Sequence, residues 1–386
     1  MTLTDQDIAP IRETLPILKR VTYFNHGSIA PLSTRVVSAM NKVINAQSGG
    51  TLGRSIWRAT IAPLRERAAQ LVNADFEEIA ILRNTVEGIS TVAAGVDWKP
   101  GDNVLCNDLE FPANVYPWWN LKERFGVETR MIPHRNRKIL VDDIIEAADD
   151  RTRLVTVSLV QFFHGYRVDL DRLGAFCREN NILLHVDAIQ AVGPLVVDVK
   201  RSKVDFLACG GHKWLLGPIG VGFLYIRRDL IPELWASEPG HLGVKQNISQ
   251  YRDYTLTFRN SGEKFEGGVH NYIGAAGLGE SLKMYLEVGP CEISDRILHL
   301  TDMLSEGIEA KGFRLISHRG NEEKSGIVAF DHEHESSETI YHRLLDAGIF
   351  VTISEGAIRV APHFHNTTTE IERFIDTLQG PPVLRT

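Results

Sequence analysis

Short apolar runs alternate with helical patterns from residue 79 to residue 227, and this alternation restricts the fold more than any other feature of the chain. The runs are rich in β-branched residues and too short for helices, so they predict strands. Such alternation predicts an α/β fold with a mostly parallel, seven-stranded sheet and helices on both faces. The predicted strands are Ile79–Leu82, Asn103–Cys106, Thr129–Ile132, Leu154–Leu159, Leu183–Val186, Phe206–Cys209 and Val221–Ile226; the helical patterns are Val86–Ala94, Ala113–Phe125, Val141–Ala148 and Leu170–Asn180.

The connection between the last two predicted strands breaks this pattern. Residues 210–220 are too few for a crossover helix and include Pro218, so these strands are predicted to run antiparallel. Lys213 then lies in the loop of a hairpin, at the sheet edge where the strand carrying Asp187 ends. Ligands of open α/β sheets bind beyond the carboxyl ends of the strands, so both residues are candidates for a site.

The length of the chain, 386 residues, suits two domains, because single hydrophobic cores stop growing at about 250 to 300 residues. We expect an N-terminal segment over residues 1–22 that packs with the smaller domain, a large ligand-binding domain over 23–260 and a small α+β domain over 261–386. In the last part, helices are predicted at Asn271–Leu286, Ile293–Lys311, Glu338–Ala347 and Thr368–Leu378, and strands at Phe313–Ile316, Gly326–Phe330, Phe350–Ile353 and Ile358–Ala361.

Charge and composition exclude several classes of protein. The net charge of -7 argues against general nucleic-acid binding, which requires a basic face. The N-terminus has neither a basic start nor an apolar stretch, and no run of about 18 apolar residues occurs, so we expect a cytoplasmic protein with no membrane partner. The four cysteines form no C-x-x-C pair and predict neither a zinc site nor a disulfide framework; Cys106 and Cys209 are expected in the core.

Lys213 and Asp187 together indicate pyridoxal phosphate chemistry. A lysine held among glycines at the end of a buried strand loses its proton through desolvation and attacks an aldehyde, while an aspartate on a neighbouring strand end holds the pyridinium nitrogen. The alternative is a surface lysine in a glycine loop and an aspartate that caps a helix. The order of Asp-x-x-Gln, Gly-Gly-His-Lys and Gly-Pro-Ile-Gly-Val-Gly along the chain favours the cofactor.

Further residues suit a phosphorylated, flat ring. The Thr85 hydroxyl and the amides of Thr85 and Val86 follow a strand and open a helix, where phosphate binds; the alternative is that Asn84 or Thr85 only caps that helix. His212 is a candidate donor to the phosphate or to a loop carbonyl, and Gln190 to the phenolic oxygen of the ring. Phe111 either stacks on the ring or belongs to the core.

Arg359 interrupts an apolar strand of the second domain. A guanidinium there clamps a substrate carboxylate with two hydrogen bonds, or else forms a structural ion pair. The pairs His363-x-His365 and His332-x-His334 lack a clear third ligand and are expected in solvated loops, so no metal site is predicted. The chain also lacks the glycine-rich nucleotide-binding motifs.

From Tyr23-Phe24-Asn25-His26-Gly27 to the C-terminal helix, the chain resembles the class V aminotransferase family, fold-type I pyridoxal phosphate enzymes that include cysteine desulfurases, isopenicillin N epimerase-like proteins and cystine C–S lyases. The most specific stretch runs from His-Val-Asp-Ala-Ile-Gln through Gly-His-Lys-Trp to Gly-Phe-Leu-Tyr. The resemblance implies a homodimer with its sites at the subunit interface. It also implies that Lys213 forms the Schiff base, that Asp187 binds the pyridinium nitrogen and that Gln190 binds the phenolic oxygen. Thr85 and His212 are assigned to the phosphate, and Phe111 lies on the ring, where desulfurases stack a histidine. Arg359 is assigned to the substrate carboxylate, and Asn25 and His26 to further substrate contacts.

Three departures from the family pattern stand out. In a segment that resembles the one reaching into the partner's phosphate site, Val269 replaces the usual threonine, and Gly210 replaces a usual serine, so two phosphate-binding hydroxyls are missing. Cysteine desulfurases carry a nucleophilic cysteine on a loop shortly before the substrate arginine. Residues 352–358 lead to Arg359 without a cysteine, which argues against persulfide formation on the enzyme.

The reaction remains open at this point. A substrate amine displaces Lys213 from the cofactor aldehyde, and the freed lysine is the natural base for the Cα proton. Our leading hypothesis is an aminotransferase acting on an α-amino acid; the alternatives are a C–S or β-elimination lyase, an epimerase, or a protein that binds the cofactor without turnover. The sequence does not identify the substrate side chain.

Overall fold

The computed structural model describes residues 3–245, 252 and 254–378. Its α-helices are α1 Asp5–Glu13, α2 Thr34–Ser48, α3 Arg54–Arg58, α4 Ile61–Val72, α5 Thr85–Gly95, α6 Tyr116–Trp119, α7 Leu121–Phe125, α8 Val141–Ala147, α9 Leu170–Glu179, α10 Tyr272–Val288, α11 Pro290–Ala310, α12 Ser337–Asp346 and α13 Thr368–Thr377. Its strands are β1 Thr22–Tyr23, β2 Ile79–Leu82, β3 Asn103–Asn107, β4 Glu128–Ile132, β5 Thr152–Ser158, β6 Leu183–Asp187, β7 Phe206–Gly210, β8 Gly222–Ile226, β9 Arg314–Leu315, β10 Val328–Asp331, β11 Ile349–Phe350, β12 Thr352–Ser354 and β13 Ala357–Val360.

The large sheet has seven strands in the order β2-β8-β7-β6-β5-β3-β4. Neighbouring strands from β7 to β4 pair in parallel, whereas β8 runs antiparallel to both β7 and β2. The α/β fold and the antiparallel hairpin that carries Lys213 are therefore confirmed. The carboxyl ends of β6 and β7, at Asp187 and Gly210, meet at one edge of the sheet.

Both faces of the large sheet are covered, as the near-continuous apolar strands require. Successive side chains of a strand point to opposite faces, so Phe206 and Ala208 pack with α5, while Leu207 and Cys209 pack on the other side with α4 and α10. Cys106 and Cys209 are buried, as predicted. The two cores hold the strand ends in fixed positions relative to the first turn of α5.

The C-terminal part contains a second core. A four-stranded antiparallel sheet, β12-β13-β10-β9, packs against α11, α12 and α13, and β1 pairs in parallel with β11. The N-terminal helix α1 lies against this part, because Asp5 contacts Arg296 and Thr368, and Arg12 forms an ion pair with Glu370. The domain boundaries drawn from the sequence stay predictions. None of the described helices combines the length and the apolar character needed to cross a membrane.

Two predicted elements differ from the structure. The helix expected over Ala113–Phe125 is broken into a 3₁₀ turn and the short helices α6 and α7; Pro112 and Pro117 supply no amide hydrogen, which favours helix starts rather than one continuous helix. The strand expected over Phe350–Ile353 is divided between two sheets: β11 pairs with β1, and β12 pairs with β13. This division brings the N-terminal residues 22–28 next to β13.

Candidate active site

Lys213 lies in a turn within the loop of residues 211–221 that connects β7 and β8. The turn is closed by hydrogen bonds from Leu216 N to Lys213 O, 3.0 Å, and from Gly217 N to Gly211 O, 2.9 Å. Within the described residues the ammonium has no hydrogen bond or ion pair, and Nζ lies 6.0 Å from the centroid of the Phe111 ring. Burial lowers the pKa of Lys213, although Asp187 opposes this effect. Arg359 lowers it further, to about 8, so a larger fraction of Lys213 is the neutral amine that attacks aldehydes.

Asp187 is the last residue of β6 and is 3% exposed. Its Oδ1 accepts a hydrogen bond from Ile189 N at 3.0 Å, so the carboxylate is oriented by its own backbone. Burial raises the pKa of Asp187, and the nearby Glu110 adds to this, while Lys213 opposes it. A buried carboxylate with this environment is stabilised by a bound cation, such as a protonated pyridine nitrogen.

Glu110 is the centre of a buried hydrogen-bond network near Asp187, a role that was not predicted from the sequence. Its carboxylate accepts hydrogen bonds from the side chains of Asn107, Asn114, Ser158 and Gln161 and from the amide of Ser158, 2.7 Å away. These donors come from the end of β3 and the loop after it, and from the end of β5 and the segment after it. The carboxylate therefore ties together the loop that presents Phe111 and the strand beside Asp187.

The first turn of α5 forms the opposite end of the site. Asn84 caps the helix by accepting a hydrogen bond from Glu87 N at 2.9 Å. The Thr85 hydroxyl is thus not used for capping; Oγ1 is buried and has no partner among the described residues. The first-turn amides of Thr85 and Val86 have no partner inside the helix, and the helix dipole favours an anion there.

Gly210 lies directly beside Thr85 and His212. A Cβ atom at position 210 would be 3.1 Å from Thr85 Oγ1 and 3.2 Å from His212 Nδ1, so these two groups approach the same point. Burial, and then the charge of Lys213, lowers the pKa of His212, which leaves a neutral ring with one N–H to donate. The structure therefore brings together Thr85, Gly210 and His212, which were predicted to lie at the phosphate, but not Val269.

Pyridoxal phosphate fits these residues. The unpartnered Thr85 hydroxyl, His212 and the start of α5 suit its phosphate, the buried Asp187 suits its ring nitrogen, and Lys213 suits its aldehyde. Phe111 is 50% exposed, so it belongs to the cleft and not to the core. Its ring contacts Phe162 edge to face, with centroids 5.3 Å apart, and the two form an apolar wall near Lys213.

Arg359 on β13 is only 6% exposed and has no carboxylate partner within the described part of the chain. Its Nη1 donates to Phe162 O at 2.8 Å and its Nη2 to Ser28 Oγ at 2.6 Å, while Nε is buried without a partner. Burial lowers the pKa of Arg359 to about 10. A guanidinium held this way has unused hydrogens for a substrate carboxylate, and the described residues provide no ion pair as an alternative role.

Gly27 lies between Arg359, the predicted substrate residue, and Gln190, the predicted cofactor residue. A Cβ atom there would be 3.6 Å from both Arg359 Cζ and Gln190 Oε1. The other two predicted substrate residues, Asn25 and His26, face the backbone of Ala361. Asn25 forms a parallel β-bridge with Ala361, and its Oδ1 is buried without a partner among the described residues; His26 is fully buried with Nδ1 2.9 Å from Ala361 O. Their substrate roles stay predictions.

Val269 is 76% exposed and lines a separate cleft of about 200 Å³ with Arg83, Glu87 and Asn271. In a single chain it is therefore on the surface and does not share the buried environment of Thr85. Its predicted role near the partner's phosphate site stays a prediction.

The expectation for His363 and His365 was wrong. Both are fully buried and stack on each other at a centroid distance of 5.0 Å, because the segment after β13 packs between Trp214, Tyr285 and His26. His334, in contrast, is exposed as expected. Ser28, Phe162 and Trp214 were not predicted to contribute to the site, although Trp214 directly follows Lys213.

Comparison with known proteins agrees with this geometry. A family model described as aminotransferase class-V matches residues 22–374. A probable cysteine desulfurase of Methanothermobacter thermautotrophicus is 31% identical, over 96% of each chain. Among solved structures, the cystine C–S lyase C-DES in complex with its reaction product cysteine persulfide has a TM-score of 0.87 at 26% identity, covering 95% of this chain and 100% of the other. A mutant of C-DES with glycine covalently linked to the pyridoxal phosphate cofactor has a TM-score of 0.88 at 25% identity, covering 95% and 98%.

Proposed function

Since the chain belongs to the class V aminotransferase family and uses pyridoxal phosphate, we propose that it is a C–S lyase that eliminates sulfur from the β-carbon of an α-amino acid. The substrate class is an amino acid with a disulfide at that carbon, such as cystine. The relatives are named for reactions at sulfur, which favours elimination over the transamination that the sequence placed first.

One observation favours elimination over persulfide formation on the enzyme: the segment that leads to Arg359 has no thiol. The segment of residues 352–358 contains no cysteine. Cys106, Cys177 and Cys209 are buried, and burial raises the pKa of each thiol, which disfavours the nucleophilic thiolate. Cys291 is exposed, but it lies on α11, which supplies no residue to the site.

Each residue has a defined task in this reaction. Arg359 binds the α-carboxylate and fixes the orientation of the substrate, and Phe111 and Phe162 exclude water from one side. The bound cofactor withdraws electrons from Cα while Asp187 keeps its ring nitrogen protonated. Lys213 takes the Cα proton; burial lowers the pKa of its amine to about 8, so a larger fraction of it is unprotonated and available as a base near neutral pH.

Departure of the sulfur completes the elimination. The C–S electron pair leaves with sulfur, and the unsaturated amino acid takes up water to give a 2-oxo acid and ammonia. Phe111 has no proton to give to the leaving group, so the site favours a weakly basic one. A persulfide is a weaker base than a thiolate, which is the reason for placing a disulfide, and not a simple thiol, in the substrate.

The test is product formation without an acceptor. Holoenzyme incubated with L-cystine and no added 2-oxo acid is expected to release pyruvate, ammonia and persulfide sulfur in equal amounts, with much slower turnover of L-cysteine. The variant Cys291→Ser, the control for a persulfide carried on the enzyme, is expected to react as the wild type does. Dependence of the reaction on an acceptor 2-oxo acid would identify a transaminase, and alanine as the product would identify a desulfurase; either result would exclude the proposal.

A further inference from the structure

Trp214 connects the lysine turn to Gln190. The indole is fully buried, and its Nε1 donates to Gln190 Oε1 at 2.7 Å. Gln190 is 2% exposed, and its Nε2 donates to Gly27 O at 2.9 Å. The amide of Gln190 is thus held from two sides, by the residue that follows Lys213 and by the glycine that lies beside Arg359.

These two partners allow only one orientation of the amide. An indole N–H donates and never accepts, so the oxygen of Gln190 must face Trp214. A carbonyl accepts and never donates, so the nitrogen must face Gly27. Nε2 carries two hydrogens, and within the described part of the chain only one of them has an acceptor. The second N–H is left for a ligand.

The indole itself has little freedom to move. The carbonyl of Trp214 accepts hydrogen bonds from Tyr285 Oη and from His363 Nε2, the latter at 2.9 Å. A Cβ atom at Gly326 would lie 2.6 Å from the outer edge of the indole, and one at Gly193 would lie 2.9 Å from Trp214 Cβ. Glycine at these two positions lets the neighbouring backbone pack directly against Trp214 and fixes its ring.

We propose that Trp214 is a positioning residue for the cofactor: through the oxygen of Gln190, it holds the free N–H of that amide toward the phenolic oxygen of pyridoxal phosphate. The inference shares the cofactor and the Lys213 attachment with the proposed function, but it does not depend on which bond is cleaved. It assigns Trp214 a role through Gln190 and no direct contact with the substrate.

The role has a spectroscopic consequence. A donor on the phenolic oxygen weakens the hold of that oxygen on the proton it shares with the Lys213 nitrogen. When the donor is lost, this proton is retained to higher pH. Loss of one hydrogen bond of this strength is expected to raise the pH midpoint of the near-visible absorption change by roughly 0.5 to 1 unit.

The experiment is a pH titration of that absorption in the wild-type holoenzyme and in four variants. Trp214→Phe and Gln190→Leu are each expected to raise the midpoint, and the double variant to show no more than the larger single shift, since the two residues act in one chain. Trp98→Phe is the matched control, because Trp98 is also buried and donates to a backbone carbonyl, Ala93 O. An unchanged midpoint in Trp214→Phe, or additive shifts in the double variant, would overturn the inference.

A second substitution separates hydrogen bonding from packing. Replacing Trp214 with its benzothiophene isostere removes the donor and keeps the ring volume, so it applies if Trp214→Phe does not fold. The same upward shift is expected; a midpoint identical to that of the wild type would contradict the inference. The readout is independent of the proposed function, since acceptor-dependent turnover with shifted midpoints would reject the lyase and keep the role of Trp214.

Discussion

At the scale of single residues, the contacts of Arg359 indicate most clearly a role in substrate binding and not in structure. It is buried, and among the residues that the structure describes its Nε has no partner and its two hydrogen bonds go to a carbonyl and a hydroxyl, not to a carboxylate. Such a guanidinium remains under-compensated until an anion binds. Ser28 and Phe162 hold it in place, so the position of the carboxylate is set before the substrate arrives.

Replacement of Arg359 by lysine is expected to raise KM for the amino acid substrate by roughly 10- to 100-fold, because one point charge replaces the two-pronged contact. The effect on kcat should be smaller. Steady-state kinetics on the holoenzyme measure both constants. Arg319→Lys is the control, since Arg319 pairs with Asp302. An unchanged KM in Arg359→Lys would contradict a role of Arg359 in substrate binding and would leave it only a structural one.

The sequence predicted Lys213, Asp187 and Thr85 as candidates because each lies in a short local motif at the end of a strand. It did not predict the partners that orient the site. Trp214 meets Gln190 across 24 residues of chain, and Arg359 meets Ser28 across 331. The first contact follows from the pairing of β6 with β7, and the second from the packing of β13 on residues 22–28; no local pattern encodes either.

At the scale of elements, the hairpin of β7 and β8 was predicted because a connection of about ten residues with a proline has no room for a helix. The break between the 3₁₀ turn and α6, which has Pro117 in its first turn, and the division of β11 from β12 were missed. In both cases the apolar pattern is continuous, and it is the prolines or the partner strands that interrupt the element. The hairpin is what places Lys213 opposite Asp187, so the part that was predicted is the part that carries the chemistry.

At the scale of the whole molecule, the packing of the C-terminal segment on the lysine turn buries three histidines. His26, His363 and His365 are fully buried, with ring centroids 4.9 to 5.0 Å apart. Burial lowers the pKa of His26 to about 4 and depresses those of His363 and His365 strongly. The folded protein therefore keeps these rings neutral at pH values where the unfolded chain protonates them.

This difference makes stability depend on pH. Below about pH 6.5 the unfolded chain binds protons that the folded state does not, so the free energy of unfolding falls as the pH falls from 6.5 toward 4. His365 has no hydrogen-bond partner on either ring nitrogen among the described residues. His365→Leu is therefore expected to reduce the loss of stability between pH 7.5 and pH 5 by up to about 2 kcal/mol.

Urea unfolding at the two pH values measures this change. His334→Leu is the control, because His334 is exposed. The same loss of stability in His365→Leu as in the wild type would show that the buried ring does not contribute to the acid sensitivity.

The most direct test of the account is the position of the covalent bond to the cofactor. Borohydride reduction of the holoenzyme followed by peptide mapping is predicted to find the cofactor on Lys213 alone, and the variant Lys213→Ala is predicted to carry no covalent label. A label on any other lysine, for example the buried Lys264, or no label on Lys213 in cofactor-loaded protein, would contradict the assignment of the site.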